Sequence, residues 1–288
     1  MVVWELDFYS RPLVDEKGKK RWELLICESP LTVDRELSTL FRYQAFCLST
    51  EVNSVWLRQQ LQQAIAQAQA APDRIRFFRR QMSNMITKGC EEAGLTASPS
   101  RRTLTLDHWL DERLREVYPQ MPGYTPTATA SVGYPPPVPE PLPDALRGES
   151  WSLLTLEAAA LQEMPEWDID FGEAFPLALT RLAPDTAVPG LLIFSPRATA
   201  LGAWMSGLEL AFLSVEPTQV GALGLLLHTG AGEAWILANL GSAAVRQEAE
   251  AFEAMKQAAD NVHFLGIQSA AEAQSFAGFW LFQERNLA

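Results

Sequence analysis

Cysteine and histidine are scarce in this chain of 288 residues: Cys27, Cys47 and Cys90 lie far apart without a CxxC pair, and His108, His228 and His263 are the only imidazoles. No zinc-type ligand set can be written from them, and isolated thiols of this kind suit core positions in a reducing compartment. Nucleophile signatures are missing too, with no GxSxG anywhere in the sequence. Gly221-Ala222-Leu223-Gly224 and Gly230-Ala231-Gly232 lack both the Lys-Ser/Thr and the strand-to-helix context of a phosphate loop, and read as turns. The expectation is of no catalytic residue, no metal and no cofactor. The longest charge-free stretch, residues 117–139, holds seven prolines in 23 residues and could not satisfy its backbone in lipid as a helix. The chain opens straight into Val2-Val3-Trp4-Glu5-Leu6-Asp7-Phe8 with no basic or apolar leader, so a cytoplasmic protein is expected.

What is present is an ordinary globular composition, 48% hydrophobic and 20% charged, in a chain long enough for about two domains. Nine of the 19 prolines fall between residues 119 and 143, including Pro135-Pro136-Pro137-Val138-Pro139-Glu140-Pro141, which predicts an extended linker. The formal charge of −12 is uneven across it. Residues 1–118 carry 17 Lys+Arg and 16 Asp+Glu, net +1, and residues 119–288 carry 6 and 19, net −13. Three segments follow: an N-terminal domain over 1–118, a Pro-rich linker over 119–150 and an acidic C-terminal domain over 151–288.

Alternating apolar and polar residues predict strands at 4–9 and 21–28, joined as a hairpin through Asp15-Glu16-Lys17-Gly18-Lys19-Lys20, with a third strand at 40–48. A helix capped by Asn53 or Ser54 runs to about residue 70, and is followed by a strand at 74–79, a helix at 82–93, a short strand at 95–98 and a last helix through Trp109 and Val117. The second half reads as strands at 151–156, 191–195, 209–215, 222–228, 233–238, 263–268 and 278–283, with helices at 198–206 and 243–260. The fold class is therefore α/β (α+β), two mixed-sheet domains joined by the Pro-rich linker. The first has the β-β-β-α-β-α-β-α order that ribonuclease H-like folds use, an analogy of element order alone.

That analogy asks for metal-binding carboxylates on the first strand, first helix, fourth strand and last helix. Asp7, Glu51 and Asp107 or Asp111 could serve three of these roles, but the fourth strand offers arginines. Arg74, Arg76, Arg79, Arg80, Lys88, Arg101 and Arg102 are opposed by Glu91 and Glu92 alone, net +5 over 29 residues, with Phe77 and Phe78 interleaved. Such a stripe suits a phosphate backbone better than a two-metal site, although a plain solvated face is the competing account. Ser98-Pro99-Ser100-Arg101-Arg102-Thr103 could contact phosphate and ribose hydroxyls, or simply connect a strand to a helix. His228 and His263 sit at strand ends and read as structural. Phe276-Ala277-Gly278-Phe279-Trp280-Leu281-Phe282 reads as a buried strand, with a base-stacking surface as the alternative.

Several long runs resemble the Tab family of RNA-binding proteins, named for translation of psaB, the message for a photosystem I reaction-centre subunit. They include Trp4 to Pro12, Lys19 to Leu24, Arg74 to Arg79, Pro99 to Arg102, Pro189 to Leu191, Ala203 to Glu209, His263 to Gln268 and Gly278 to Leu281. The resemblance implies a non-enzymatic factor that binds the 5′ untranslated region of a photosystem I message, promotes its translation and supports photosystem biogenesis. It also implies a cyanobacterial member, since a plant one would need an organelle presequence. The family's RNA binding has been tied to a Trp-Leu-Leu tripeptide, which falls here on Trp280, Leu281 and Phe282 with Phe in third place; the resemblance implies RNA binding by these residues, through direct contact or, the reading favoured here, through support of the fold. Two other readings stand beside this one: a protein-binding photosystem assembly factor built on the acidic half, and a residual metal-dependent nuclease built on Asp7.

Overall fold

Trp4, Leu6 and Phe8 alternate with Glu5 and Asp7 along β1 (Val3–Val14), so the strand presents an apolar row to one side of its sheet and a charged row to the other. The computed structural model describes residues 1–126, 138–218 and 222–285. These divide into two compact units, the first within Met1–Pro30 and Ser38–Tyr134, the second within Leu31–Leu37 and Pro135–Arg285.

In the first unit β1 is followed by β2 (Lys20–Glu28), β3 (Arg42–Leu48), α1 (Ser54–Gln67), β4 (Arg74–Phe77), α2 (Ser83–Glu92), β5 (Ala97–Pro99) and α3 (Leu104–Glu112). The sheet order is β3-β2-β1-β4-β5, with β1, β2 and β3 antiparallel and β4 and β5 parallel to β1. Asn53 starts α1 by accepting the Trp56 amide at 2.9 Å. Leu57, Leu61, Ile86 and Cys90 of α1 and α2 then cover Trp4, Leu6, Phe8, Leu24 and Ile75. Each large side chain buried there is worth roughly 1.5–3 kcal/mol. Gly89 lets the two helices meet, because a Cβ at that position would stand 2.8 Å from Leu57 Cδ2. The other face of the sheet carries Leu25 and Cys27 under Leu106, Trp109 and Leu110 of α3, together with Leu13 and Tyr118.

The second unit contains β6 (Glu140–Pro141), β7 (Ser150–Glu157), α4 (Ala158–Gln162), β8 (Ile169–Glu173), β9 (Ala187–Phe194), α5 (Ala198–Ser206), β10 (Leu210–Pro217), β11 (Leu223–Thr229), β12 (Glu233–Asn239), α6 (Ala243–Ala258), β13 (Val262–Gln268) and β14 (Phe276–Gln283). They form two mixed sheets, β7-β9-β13-β14-β8 and β10-β11-β12-β6. Leu191, Ile193, Leu265, Ile267, Trp280 and Phe282 of the first meet Leu213, Leu225 and Leu227 of the second, with Leu201, Met205 and Phe252 from the helices closing the core. His263 ties the sheets together: its Nε2 accepts the Leu213 amide at 2.8 Å and its Nδ1 donates to the Asn261 carbonyl at 2.9 Å. Burial, reinforced by the Lys256 charge, lowers its pKa to about 3, so this imidazole is neutral. Lys256 is itself held by the Leu213 carbonyl, Glu253 and Glu284.

The mixed α/β class and the predicted element order hold in both units. Unanticipated are the short elements β6, α4 and β8. Gly172 sits in β8 where a Cβ would lie 2.4 Å from the Phe279 carbonyl, a close approach that a propensity reading takes for a turn. Of the expected linker 119–150, residues 127–137 lie outside the described residues; elsewhere in it Tyr124 bridges Leu13, Glu140–Pro141 pairs with β12, and Leu142 is buried.

Candidate nucleic-acid interface

The charged row of β1 does not face solvent. Asp7 is fully buried, and each of its oxygens takes a guanidinium: Arg79 Nε at 2.8 Å on Oδ1 and Arg11 Nη1 at 2.8 Å on Oδ2. Burial alone would raise the Asp7 pKa, but the charges of Arg79 and Arg11 outweigh it and hold the carboxyl below its usual range. Arg11 passes the network on, donating from Nε to Glu23 at 2.9 Å. Glu23, also fully buried, accepts in turn from Arg113 and the Tyr118 hydroxyl. Arg79 lies over the rings of Tyr9 and Phe78, at 4.1 and 4.7 Å from their centroids.

Glu5 is the second buried carboxylate of the row. It accepts the Ser29 hydroxyl at 2.6 Å and the Leu106 amide at 2.6 Å. Leu106 is in the first turn of α3, and Thr103 makes no side-chain cap there, so a carboxylate from the sheet satisfies an end of the helix. Burial raises the Glu5 pKa to about 7, against the lowering effects of Ser29, the Leu106 amide, Arg76 and Arg102. Arg76 is its direct neighbour across the β1–β4 pairing.

The seven cations of the predicted stripe therefore divide. Arg76, Arg79 and Arg102 are buried and serve as counter-charges to Glu5 and Asp7. The run from Arg74 to Arg79 reads as a surface in the sequence, yet the carboxylates that face Arg76 and Arg79 come from β1, some seventy residues away, and Arg102 meets the same strand from further along the chain. Arg74, Arg80 and Arg101 are half-buried and engaged with other groups, and exposed Lys88 lies 3.9 Å from Glu92. Trp280, Leu281 and Phe282 lie on β14, which pairs with both β13 and β8, and are 3%, 0% and 0% exposed. Trp280 and Phe282 point into the core between the sheets.

The carboxylates considered for metal lie apart. Glu51 accepts the Leu48 amide at 2.8 Å in the turn before α1, Asp107 and Asp111 are on α3, and Asp7 has arginine on both oxygens. No group of three His, Cys, Asp or Glu residues among the described residues is placed to hold a metal ion. The three thiols are buried, and burial raises the pKa of each, Cys47 to about 11 and Cys90 to about 12. His228 contacts Ser214 at 2.8 Å and Glu216 at 3.0 Å through the same Nε2, so the three do not form a relay through both ring nitrogens. No described helix is long and apolar enough to cross a membrane. Glu5, Arg11, Glu23, Arg113 and Tyr118 carry the network but were not singled out from sequence; the available signal was a Glu-x-Asp pair alternating with Trp-Leu-Phe in one strand.

Comparison with known proteins gives a consistent answer along the chain. Residues 3–113 match the family described as RNA-binding protein Tab2/Atab2 N terminal, and residues 129–283 match the RNA-binding protein Tab2/Atab2 C-terminal domain. A chloroplastic TAB2 homolog of Zea mays is 37% identical over 286 residues, covering 96% of this chain and 70% of the relative. A chloroplastic TAB2 homolog of Arabidopsis thaliana is 35% identical over 286 residues, covering 96% and 73%. No solved structure gives a significant match.

Proposed function

Because the chain belongs to the Tab2/Atab2 family of RNA-binding proteins, we propose that it is a non-enzymatic RNA-binding factor that engages the 5′ untranslated region of a photosystem I message, psaB, and promotes its translation. The observation that carries this reading is the succession of both family domains along one chain, with relatives aligned over 96% of it. Photosystem biogenesis is then the process served. Action in the cytoplasm of a cyanobacterium is part of the proposal, the two relatives being chloroplastic by name. The occupancy of both Asp7 oxygens by arginine supports binding over hydrolysis, since a metal there would have to displace two buried ion pairs.

The test is a gel shift of purified full-length protein with labelled psaB leader RNA across a salt series. Binding that weakens steeply with salt is expected, as for any complex built on phosphate contacts. Absence of a shift even at low salt would overturn RNA binding, and equal affinity for unrelated leaders would overturn the psaB assignment. The acidic second half, with 19 Asp+Glu against 6 Lys+Arg over residues 119–288, favours a second reading as a protein-binding assembly factor. Partners that survive ribonuclease treatment in a pull-down would support that reading.

A further inference from the structure

If RNA is the ligand, the phosphate contact needs cations that are exposed, uncommitted and held in place. The stripe from Arg74 to Arg102 does not supply them, because each of its members is buried, ion-paired or otherwise engaged. The tip of the β1–β2 hairpin does. Lys17, Lys19 and Lys20 are all exposed, and among the described residues none of their side chains makes an ion pair. Arg21 follows at the start of the paired strand, its guanidinium 4.6 Å from the Phe46 ring centroid.

The turn that carries the lysines is rigid by construction. Asp15 Oδ1 accepts the amides of Lys17 at 2.9 Å and Lys19 at 2.8 Å, the Asp15 amide donates to the Lys19 carbonyl at 2.8 Å, and the Gly18 amide donates to the Asp15 carbonyl at 2.9 Å. Gly18 has φ +74°, a left-handed conformation that favours glycine. Behind the tip, Val14 pairs with Lys20 and donates to the Gly123 carbonyl at 2.9 Å. Of the two carboxylates in the turn, Asp15 is thus spent on backbone amides and Glu16 is exposed. A fixed turn lowers the ordering cost of binding, and clustered lysines suit a flexible chain of phosphates as point charges.

We propose that Lys17, Lys19 and Lys20 at the β1–β2 hairpin tip form the surface that receives the phosphodiester backbone of single-stranded RNA. The proposal rests on the RNA-binding reading above and adds to it where the backbone lies. The test compares the full-length protein with a Lys17→Gln/Lys19→Gln/Lys20→Gln variant and a triple Lys→Arg variant, titrating each against a labelled single-stranded RNA of mixed sequence over a salt series. All three side chains are exposed, so thermal melts of both variants should match the parent. At ~0.7 ions released per phosphate contact in a single strand, losing three contacts reduces the slope of log affinity against log salt by about 2, and lowers affinity tens-fold at physiological salt. The arginine variant keeps the parent slope. Unchanged affinity, or an affinity loss with an unchanged slope, in the glutamine variant overturns the hairpin as the phosphate site while RNA binding by the parent stands. Failure of the parent to bind at low salt overturns the RNA-binding reading itself.

Discussion

Asp7→Asn is expected to destabilise the first unit by about 3–5 kcal/mol, the cost of leaving a buried charge without its partner. Asparagine can still accept hydrogen bonds, but it cannot neutralise Arg11 and Arg79, whose side chains are 2% and 6% exposed against a fully buried carboxylate. The loss also reaches Glu23, because Arg11 bridges the two carboxylates. Urea denaturation measures it, and a variant within about 0.5 kcal/mol of the parent would show that Asp7 is not the centre of the network. The same experiment repeated with pH separates the two buried carboxylates of β1. The Asp7 pKa is lowered on folding, so its contribution is present above its ordinary value of 3.8 and is lost as pH falls through the depressed one. The Glu5 pKa is raised from 4.5 to about 7, so its contribution is fully present below 4.5 and is lost as pH rises to about 7. Together they place the most stable range of the first unit on the acid side of neutrality. In Asp7→Asn the acid limb should flatten while the decline toward pH 7 persists.

Trp280→Ala should cost about 3–5 kcal/mol in the second unit, because it empties an aromatic volume in the core between two sheets. Trp280 is 3% exposed and faces Leu265 across the β13–β14 ladder, so its indole has no free face for a base. Phe282→Leu, which introduces the residue of the family tripeptide, should cost only about 1–2 kcal/mol, since it exchanges one buried apolar side chain for another. Loss of RNA binding in Trp280→Ala is expected to track the unfolded fraction, leaving affinity per folded molecule unchanged, and Phe282→Leu should bind like the parent. A Trp280→Ala protein that melts like the parent yet fails to bind RNA would place the tripeptide in the interface instead.

The fold was legible where the sequence itself carries a local pattern. Apolar-polar alternation in the sequence of β1, the short apolar runs of β11, β13 and β14, the Asn53 cap and the apolar faces of α1 and α6 are local signals, and the elements formed where they pointed. The excursion of Leu31–Leu37 into the second unit was not, since it depends on the Ala174 and Leu177 amides reaching the Leu31 and Val33 carbonyls, a pairing without compositional trace. The basic stripe shows the same limit at the level of function. Charge density along the sequence identified Arg76, Arg79 and Arg102, but whether a cation meets water or a carboxylate depends on strand pairing, and β1 lies beside β4. Conversely, the hairpin lysines read as a plain turn, because exposure and freedom from counter-ions are properties of the folded surface.

Ultraviolet crosslinking of the full-length protein to single-stranded RNA, followed by mass spectrometric mapping of the modified peptides, tests the central claim most directly. Crosslinks should concentrate on the peptide spanning residues 15–21 and be absent from residues 276–283. Crosslinks on Trp280, Leu281 or Phe282 with none on the hairpin would contradict the assignment of the first to the scaffold and the second to the interface.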